Sequence, residues 1–226
     1  MDEPSLRDRK RVFTDRQDAG ERLASALEPL LGRQAVVLAI PAGGVPVAAV
    51  VTRRLNLLLD VAVTSKVTYA FEPEAGYGAV AFDGSVLLRD DLIRRAGLAP
   101  AQVEADVRRA RRRVERRLQR LRGDRPWPPI SGRVVCVVDD GLATGLTMQA
   151  TLRALRRMGV QKLIVAAPTG HADAAARLTH DADRVVCLNI RSQSPFAVAD
   201  AYQQWRDVDE SEVIAQLKEA QEGRAA

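Results

Sequence analysis

The sequence predicts an α/β fold with a mostly parallel central sheet and helices on both of its faces. Short, nearly continuous apolar runs that are rich in valine indicate strands covered on both sides. Segments with helical spacing separate several of these runs, and this alternation favours a parallel sheet. The predicted core strands are Ala35–Ile40, Val61–Val67, Arg133–Val138, Lys162–Ala167 and Arg184–Leu188.

The helices are predicted from apolar residues that recur three and four positions apart. Gly159 directly follows one such segment and is a typical helix stop. The residues after the last helix, Gly223–Ala226, are expected to fray. The predicted helices are Ala19–Leu31, Val45–Leu55, Leu146–Met158, Ala172–His180 and Glu210–Glu222.

A second type of structure interrupts the alternation of strands and helices. Asp83-Gly84 lies between two short apolar runs, Gly78–Phe82 and Ser85–Leu88, and predicts an antiparallel hairpin. An amphipathic helix, Pro100–Arg122, follows it, and a proline-rich connector then leads to Ser131. We expect a single domain over residues 1–226, with this hairpin and helix as an insertion at about 68–131 and a C-terminal hood and helix at about 190–226.

Composition limits the class of protein. The chain has 226 residues, of which 46% are hydrophobic, enough for one sizeable core. No apolar run approaches the roughly 20 residues of a membrane span. The charged start, Met1–Arg11, does not resemble a secretory signal, so we expect a cytoplasmic protein without a membrane partner. Cys136 and Cys187 lie in valine-rich runs and are expected to be small core residues.

The basic charge is concentrated in one predicted helix. The net charge is +5, and 30 of the 34 basic residues are arginine. A nucleic-acid surface on this helix is one interpretation. It is less favoured than a solvated helix packed on the body, because the arginines surround an apolar stripe and no aromatic residue lies among them. A homodimer surface on the stripe is a further alternative. The nine arginines are Arg108, Arg109, Arg111, Arg112, Arg113, Arg116, Arg117, Arg120 and Arg122.

The segment Val134–Thr147 is the most informative part of the chain. A buried strand ends in Asp139 and Asp140, a loop with two glycines follows, and a helix begins near Leu146. In an open parallel sheet, ligands bind outside the carboxyl ends of the strands. The helix start offers free N–H groups to an anion, and Thr144 and Thr147 add hydroxyl donors. The two acids suit hydroxyls or a magnesium-bearing group nearby.

Ribose 5-phosphate has this order of groups, with a phosphate at one end and a diol in the middle. The simpler alternative is an ordinary strand–loop–helix connection with two solvated aspartates and a capping threonine. The segment is neither a Walker A loop nor a dinucleotide-binding fingerprint.

This segment resembles the 5-phosphoribosyl 1-pyrophosphate motif of type I phosphoribosyltransferases. The rest of the chain is similar to stand-alone phosphoribosyltransferase-like proteins of this family, and the similarity covers nearly the whole chain. The stretches that carry it are Phe13–Arg16 with Ala19-Gly20, Ile40–Ala48, Gly78–Ala81 and the tail around Tyr202 and Asp207-Val208.

The resemblance implies a role for each part of the site. The loop with Gly141, Leu142, Ala143, Thr144, Gly145, Leu146 and Thr147 would hold the 5′-phosphate. Asp139 and Asp140 would be catalytic residues that face the ribose hydroxyls, and would approach magnesium only through those hydroxyls or water. Ala42, Gly43 and Gly44 of the Pro41–Gly44 loop would bind pyrophosphate. Lys66 would be a second catalytic and pyrophosphate-binding group, although an ordinary exposed lysine is nearly as good an interpretation.

The implied reaction transfers ribose 5-phosphate from 5-phosphoribosyl 1-pyrophosphate to a nitrogenous base with Mg²⁺ as cofactor, and releases pyrophosphate. This pentosyl transfer is a glycosyltransferase reaction of nucleotide metabolism. A non-catalytic regulator that senses ribose phosphates is the alternative. Thr68–Gly76 could form a mobile lid or an ordered surface loop.

Three departures from the family pattern bear on activity. Relatives usually carry arginine in place of Ala42 and a basic residue in place of Ser65. Each loss removes a charge-assisted hydrogen bond of about 1.5–3 kcal/mol, so we expect weak turnover or a nearby arginine that compensates. Ala143 replaces the aspartate of 6-oxopurine salvage enzymes, which disfavours guanine and hypoxanthine as acceptors.

Overall fold

The computed structural model describes residues 1–72 and 75–222, except for the side chain of Gln221. Gly223–Ala226 and two residues of the expected lid, Pro73 and Glu74, lie outside the described part. The described strands are β1 (Val36–Ala39), β2 (Leu58–Val61), β3 (Ser65–Thr68), β4 (Gly76–Val80), β5 (Val86–Leu88), β6 (Val134–Val138), β7 (Lys162–His171) and β8 (Arg184–Arg191). The helices are α1 (Arg16–Leu27), α2 (Gly44–Leu55), α3 (Asp90–Arg95), α4 (Pro100–Leu121), α5 (Leu146–Arg157), α6 (Ala172–Leu178) and α7 (Glu210–Glu222). Short 3₁₀ turns cover Pro4–Leu6 and Val198–Ala201.

The central sheet is parallel, and helices cover both of its faces, which confirms the predicted α/β fold. Its strand order is β2-β1-β6-β7-β8. Alternate residues of β6 belong to opposite layers, since Cys136 packs with α1 and α2 whereas Val137 packs with α5 and α6. A strand buried on both sides has no polar face, which explains the unbroken valine run.

One predicted strand was wrong. The apolar run Val61–Val67 is not one strand but the end of β2 and the start of β3, which belong to different sheets. The linking residues Ala62–Thr64 are buried as deeply as the strands. Because the linking residues are buried like the strands on either side, the sequence pattern does not reveal the crossing.

The second sheet is the predicted hairpin with one more strand. β3, β4 and β5 pair antiparallel, and the Gly84 amide closes the turn on Ala81 O at 2.9 Å. The long helix α4 packs across β3 and β4, where the Tyr77 hydroxyl donates to the buried Asp106 carboxylate at 2.8 Å. Immediately after the helix, Arg122 forms a buried ion pair with Asp60 of β2 at 2.9 Å. These contacts hold one face of α4 beside the carboxyl ends of the central strands.

The C-terminal segment returns to the body of the protein. Tyr202 is buried and bridges to Phe13, with ring centroids 5.8 Å apart. Helix α7 packs on α2 and β2. Within the described ranges, no helix has the length and apolarity that a membrane crossing would need.

Candidate phosphosugar site

A cavity of about 570 Å³ opens at the carboxyl ends of β1 and β6. The loop after β1, the start of β3, the loop after β6 and one face of α4 enclose it. It therefore brings the two predicted anion-binding loops, the acid pair and the predicted lysine into one space. Its lining includes Ala42, Gly43, Ser65, Lys66, Arg113, Arg117, Asp139, Asp140, Gly141, Ala143, Thr144, Gly145 and Thr147.

The loop after β6 presents free donors to the cavity. No acceptor within the described residues takes the backbone amides of Ala143, Thr144 or Gly145. Gly145 is the N-cap of α5 with a φ of 74°, a left-handed conformation that favours glycine. Because these amides meet the positive end of the α5 dipole, the loop is suited to an anion.

Two of the predicted phosphate-binding residues play a different part in the loop. The Leu142 amide donates to Thr169 O at 2.9 Å, and Leu142 O accepts from the His171 amide at 2.8 Å. The Leu142 side chain is buried, so this residue fixes the loop to β7. The Leu146 amide is directed at Thr144 Oγ1, 3.4 Å away. Within the described residues, the donors left for a ligand are the amides of Gly141, Ala143, Thr144 and Gly145 and the hydroxyls of Thr144 and Thr147.

The loop after β1 packs directly against the acid pair. A side chain at Gly43 would overlap the Asp140 carboxylate, so only glycine allows this approach. The Gly44 amide donates to Ile40 O at 3.1 Å and begins α2. The amides of Ala42 and Gly43 have no acceptor among the described residues. The peptide bond between Pro41 and Ala42 is cis.

Asp140 is held by a residue that the sequence patterns did not assign to the site. Arg16, the first residue of α1, donates to Asp140 Oδ2 from Nε at 3.0 Å and from Nη2 at 2.8 Å. The Arg16 guanidinium also lies 3.9 Å from the Trp205 ring centroid, and the Tyr202 hydroxyl donates to Asp140 O at 2.7 Å. Asp140 is thus fixed in place with one carboxylate oxygen engaged.

Asp139 lies in a different environment. Burial and the neighbouring Asp140 carboxylate raise the pKa of Asp139 well above its usual range. The Asp140 amide, which donates to Asp139 Oδ1 at 2.9 Å, and the positive charge of Lys66 partly oppose this pKa shift. The acid pair therefore combines an anchored carboxylate with one that takes up a proton more readily.

The comparisons with known proteins agree with this geometry. The family model for the phosphoribosyl transferase domain matches residues 16–204. The chain belongs to the phosphoribosyl transferase family. The type I phosphoribosyltransferase-like fold that the sequence resembles is therefore confirmed.

Individual relatives give the same result. Two Mycobacterium tuberculosis proteins, provisionally named phosphoribosyl transferases, are each 40% identical to this chain over 210 residues, which is 93% of this chain. The chain spans only 47% of their length. The crystal structure of TT1426 from Thermus thermophilus aligns with a TM-score of 0.74 and 37% identity, covering 92% of this chain and 98% of that one.

Lys66 reaches the phosphoribosyl transferase cavity from an unexpected direction. The sequence placed it at the carboxyl end of a core strand, but it lies within β3, opposite Ala79 of β4. Its side chain is exposed and lines the cavity. It remains a candidate for an anion contact from the second sheet.

Arg113 and Arg117 were not predicted as site residues. They lie one turn apart on α4 and both line the cavity. Arg113 donates to Ser65 Oγ at 3.0 Å and to Lys66 O at 2.7 Å, whereas Arg117 donates to Pro41 O at 3.4 Å. Only the folded packing distinguishes these two from the other arginines of the helix.

His171, Tyr202 and Trp205 lie outside the cavity lining. His171 caps α6, since its Nδ1 accepts from the Asp173 amide at 3.2 Å. Tyr202 is buried, whereas Trp205 is 38% exposed. Cys136 and Cys187 are free and buried, and burial raises the pKa of each thiol.

Proposed function

We propose that the protein transfers ribose 5-phosphate from 5-phosphoribosyl 1-pyrophosphate to a nitrogenous base and releases pyrophosphate. The observation that carries this proposal is the single cavity that joins a helix-start anion loop, an acid pair and a second amide-lined loop. A donor with a phosphate, a diol and a pyrophosphate fits three such binding regions in this order.

Each region would have one task. The amides of Ala143–Gly145 and the hydroxyls of Thr144 and Thr147 would hold the 5′-phosphate. The acid pair would orient the ribose hydroxyls and stabilise the positive charge that develops on the ring. The bond from C1 to the pyrophosphate oxygen breaks as the nitrogen of the base bonds to C1, and the Ala42–Gly43 amides with Lys66 would take up the departing charge.

The residues of the cavity are compatible with a magnesium ion. Carboxylate oxygens are hard ligands of the type that Mg²⁺ prefers, and each acid keeps an oxygen that is not in the contacts described above. Within the described ranges, no cluster of three or more His, Cys, Asp or Glu side chains could hold a metal ion. Asp139 and Asp140 would therefore hold the ion partly through water or substrate hydroxyls. When bound, magnesium would neutralise charge on the pyrophosphate.

A non-catalytic sensor of ribose phosphates is the second candidate function. Ala42 favours it, because this residue lines the cavity at a position where the resembling family usually carries arginine. Such a protein would bind the donor but would not stabilise the departing pyrophosphate well enough for turnover.

Two measurements separate these candidates. Pyrophosphate release is measured by ³¹P NMR with the donor, Mg²⁺ and a panel of purine, pyrimidine and other nitrogenous bases. Donor binding is measured in parallel by calorimetry. Release with at least one base supports the enzyme, and binding without release on this panel supports the sensor. Absence of donor binding would contradict both.

A variant pair links either result to the proposed phosphate loop. Thr144→Val together with Thr147→Val removes two hydroxyl donors from the cavity and should weaken donor binding at least tenfold. Thr179→Val, at the end of α6 and outside the cavity lining, serves as the control and should bind the donor normally.

A further inference from the structure

We propose that Arg113 and Arg117 of α4 form the cationic wall of the cavity and bind the pyrophosphate of the donor. This inference rests on the proposed function and names the residues that supply the positive charge that Ala42 and Ser65 lack. The helix that carries them belongs to the insertion, whereas the two anion loops belong to the central sheet.

Packing singles out these two arginines. Among the arginines within α4, Arg113 and Arg117 are partly buried and the others are exposed. Residues four apart lie on one helix face, so both point toward the same side of α4. The exposed members of the set are Arg108, Arg109, Arg111, Arg112, Arg116 and Arg120.

Arg113 is held at the cavity without being neutralised. Its two hydrogen bonds go to neutral oxygens, Ser65 Oγ and Lys66 O. Within the described residues, no carboxylate lies within 4.0 Å of its guanidinium. Because a guanidinium has five N–H donors, most of them remain available for a phosphate oxygen.

Arg117 continues the cationic wall toward the loop after β1. Its Nη1 contacts Pro41 O, next to the free amides of Ala42 and Gly43. Its Nε lies 3.3 Å from Glu210, but Glu210 also pairs with Arg120 at 2.6 Å, so one carboxylate is shared between two guanidinium groups. Arg117 therefore keeps part of its charge for a ligand.

The charge balance of the cavity requires additional cations. Without the two arginines, Lys66 would be the one basic side chain among the described residues that line the cavity, and it would face the several negative charges of pyrophosphate by itself. With them, three basic side chains line the cavity against two acids. Burial lowers the pKa of Arg113, and the nearby charges of Arg109 and Arg116 lower it further, whereas Asp106 opposes this shift.

The two guanidinium groups also lie where the sequence lacks basic side chains. Arg113 contacts Ser65, and Arg117 contacts the residue before Ala42. Helix α4, which lies outside the central sheet, would thus supply the positive charge that Ser65 and Ala42 do not provide.

The test compares two double variants of equal charge. Arg113→Gln with Arg117→Gln alters the cavity face, and Arg112→Gln with Arg116→Gln alters the exposed face at the same spacing. Calorimetry with inorganic pyrophosphate and Mg²⁺ should show binding weakened at least tenfold in the cavity pair and less than threefold in the exposed pair. Binding of ribose 5-phosphate, which probes the loop after β6, should change less than threefold in either pair and also reports correct folding.

Arg113→Lys separates a ligand contact from a structural one. Lysine cannot reproduce both hydrogen bonds to β3, but it keeps the positive charge. Because the charge is what would bind the ligand, pyrophosphate binding should stay within about fivefold of the wild type. If Arg113→Lys binds pyrophosphate as weakly as the cavity double variant, or if both double variants lose affinity equally, the assignment is overturned. If the wild type binds ribose 5-phosphate but not pyrophosphate, the inference fails alone. If it binds neither, the proposed function fails as well.

Discussion

The contact between Arg16 and Asp140 offers a direct test of how the site is held together. Both side chains are largely shielded, with 10% and 15% of their surfaces exposed, and two guanidinium nitrogens approach one carboxylate oxygen. Hydrogen bonds to charged groups contribute about 1.5–3 kcal/mol. The guanidinium also stacks on Trp205, and such contacts add about 0.5–1 kcal/mol.

Arg16→Met keeps much of the apolar packing but leaves Asp140 beside Asp139 without its cation. Because Asp140 opens onto the cavity, water can solvate its carboxylate and offset part of the lost interaction energy. We therefore expect the free energy of unfolding to fall by about 2–3 kcal/mol. Urea titration followed by far-ultraviolet circular dichroism measures it and avoids the fluorescence of Trp205.

Arg22→Met is the matched control on the same helix. Arg22 pairs with Asp18 at 3.1 Å, but 44% of its side chain is exposed. An exposed pair at this spacing contributes about 0.5 kcal/mol or less. Equal losses in the two variants would refute the view that Arg16 anchors the acid pair.

Three further predictions concern the acids and the loop beside them. The stability that Asp139 contributes is fully present below its unfolded pKa of about 3.9 and is lost as the pH rises through its higher folded pKa. Asp139→Asn should therefore be more stable than the wild type at neutral pH, and urea titrations should show the difference vanishing toward about pH 4; a pH-independent difference would contradict the raised pKa. Gly43→Ala should abolish pyrophosphate binding in calorimetry because its methyl group would overlap the Asp140 carboxylate and displace the loop, whereas Gly32→Ala, with no atom nearby, should bind as the wild type does. In an Arg117→Gln background, Ala42→Arg should strengthen pyrophosphate binding about tenfold and raise the rate at which pyrophosphate forms from the donor by about the same factor; both effects should be smaller in the wild type. No change in either background would argue against a charge deficit at this loop.

The parts of the site that are local in sequence were predictable. The β6–loop–α5 unit has a short signal, in which an apolar run ends in two acids and glycines precede a helix. Local rules for strand ends and helix starts were enough to place Thr144 and Thr147 in a cavity.

The parts that depend on packing were not predictable. Arg16 and Asp140 are 124 residues apart, so no spacing rule connects them. Among the arginines of α4, the position of the helix over β3 alone decides that Arg113 faces the cavity. The passage from β2 to β3 was hidden because buried linkers and buried strands have the same composition.

A crystal soaked with ribose 5-phosphate and Mg²⁺ tests the central claim most directly. The account predicts the phosphate within hydrogen-bond distance of the Ala143–Gly145 amides and the Thr144 and Thr147 hydroxyls, with the ribose diol toward Asp139 and Asp140. A phosphate bound instead on the exposed face of α4, or a loop that admits none at saturating ligand, would contradict it.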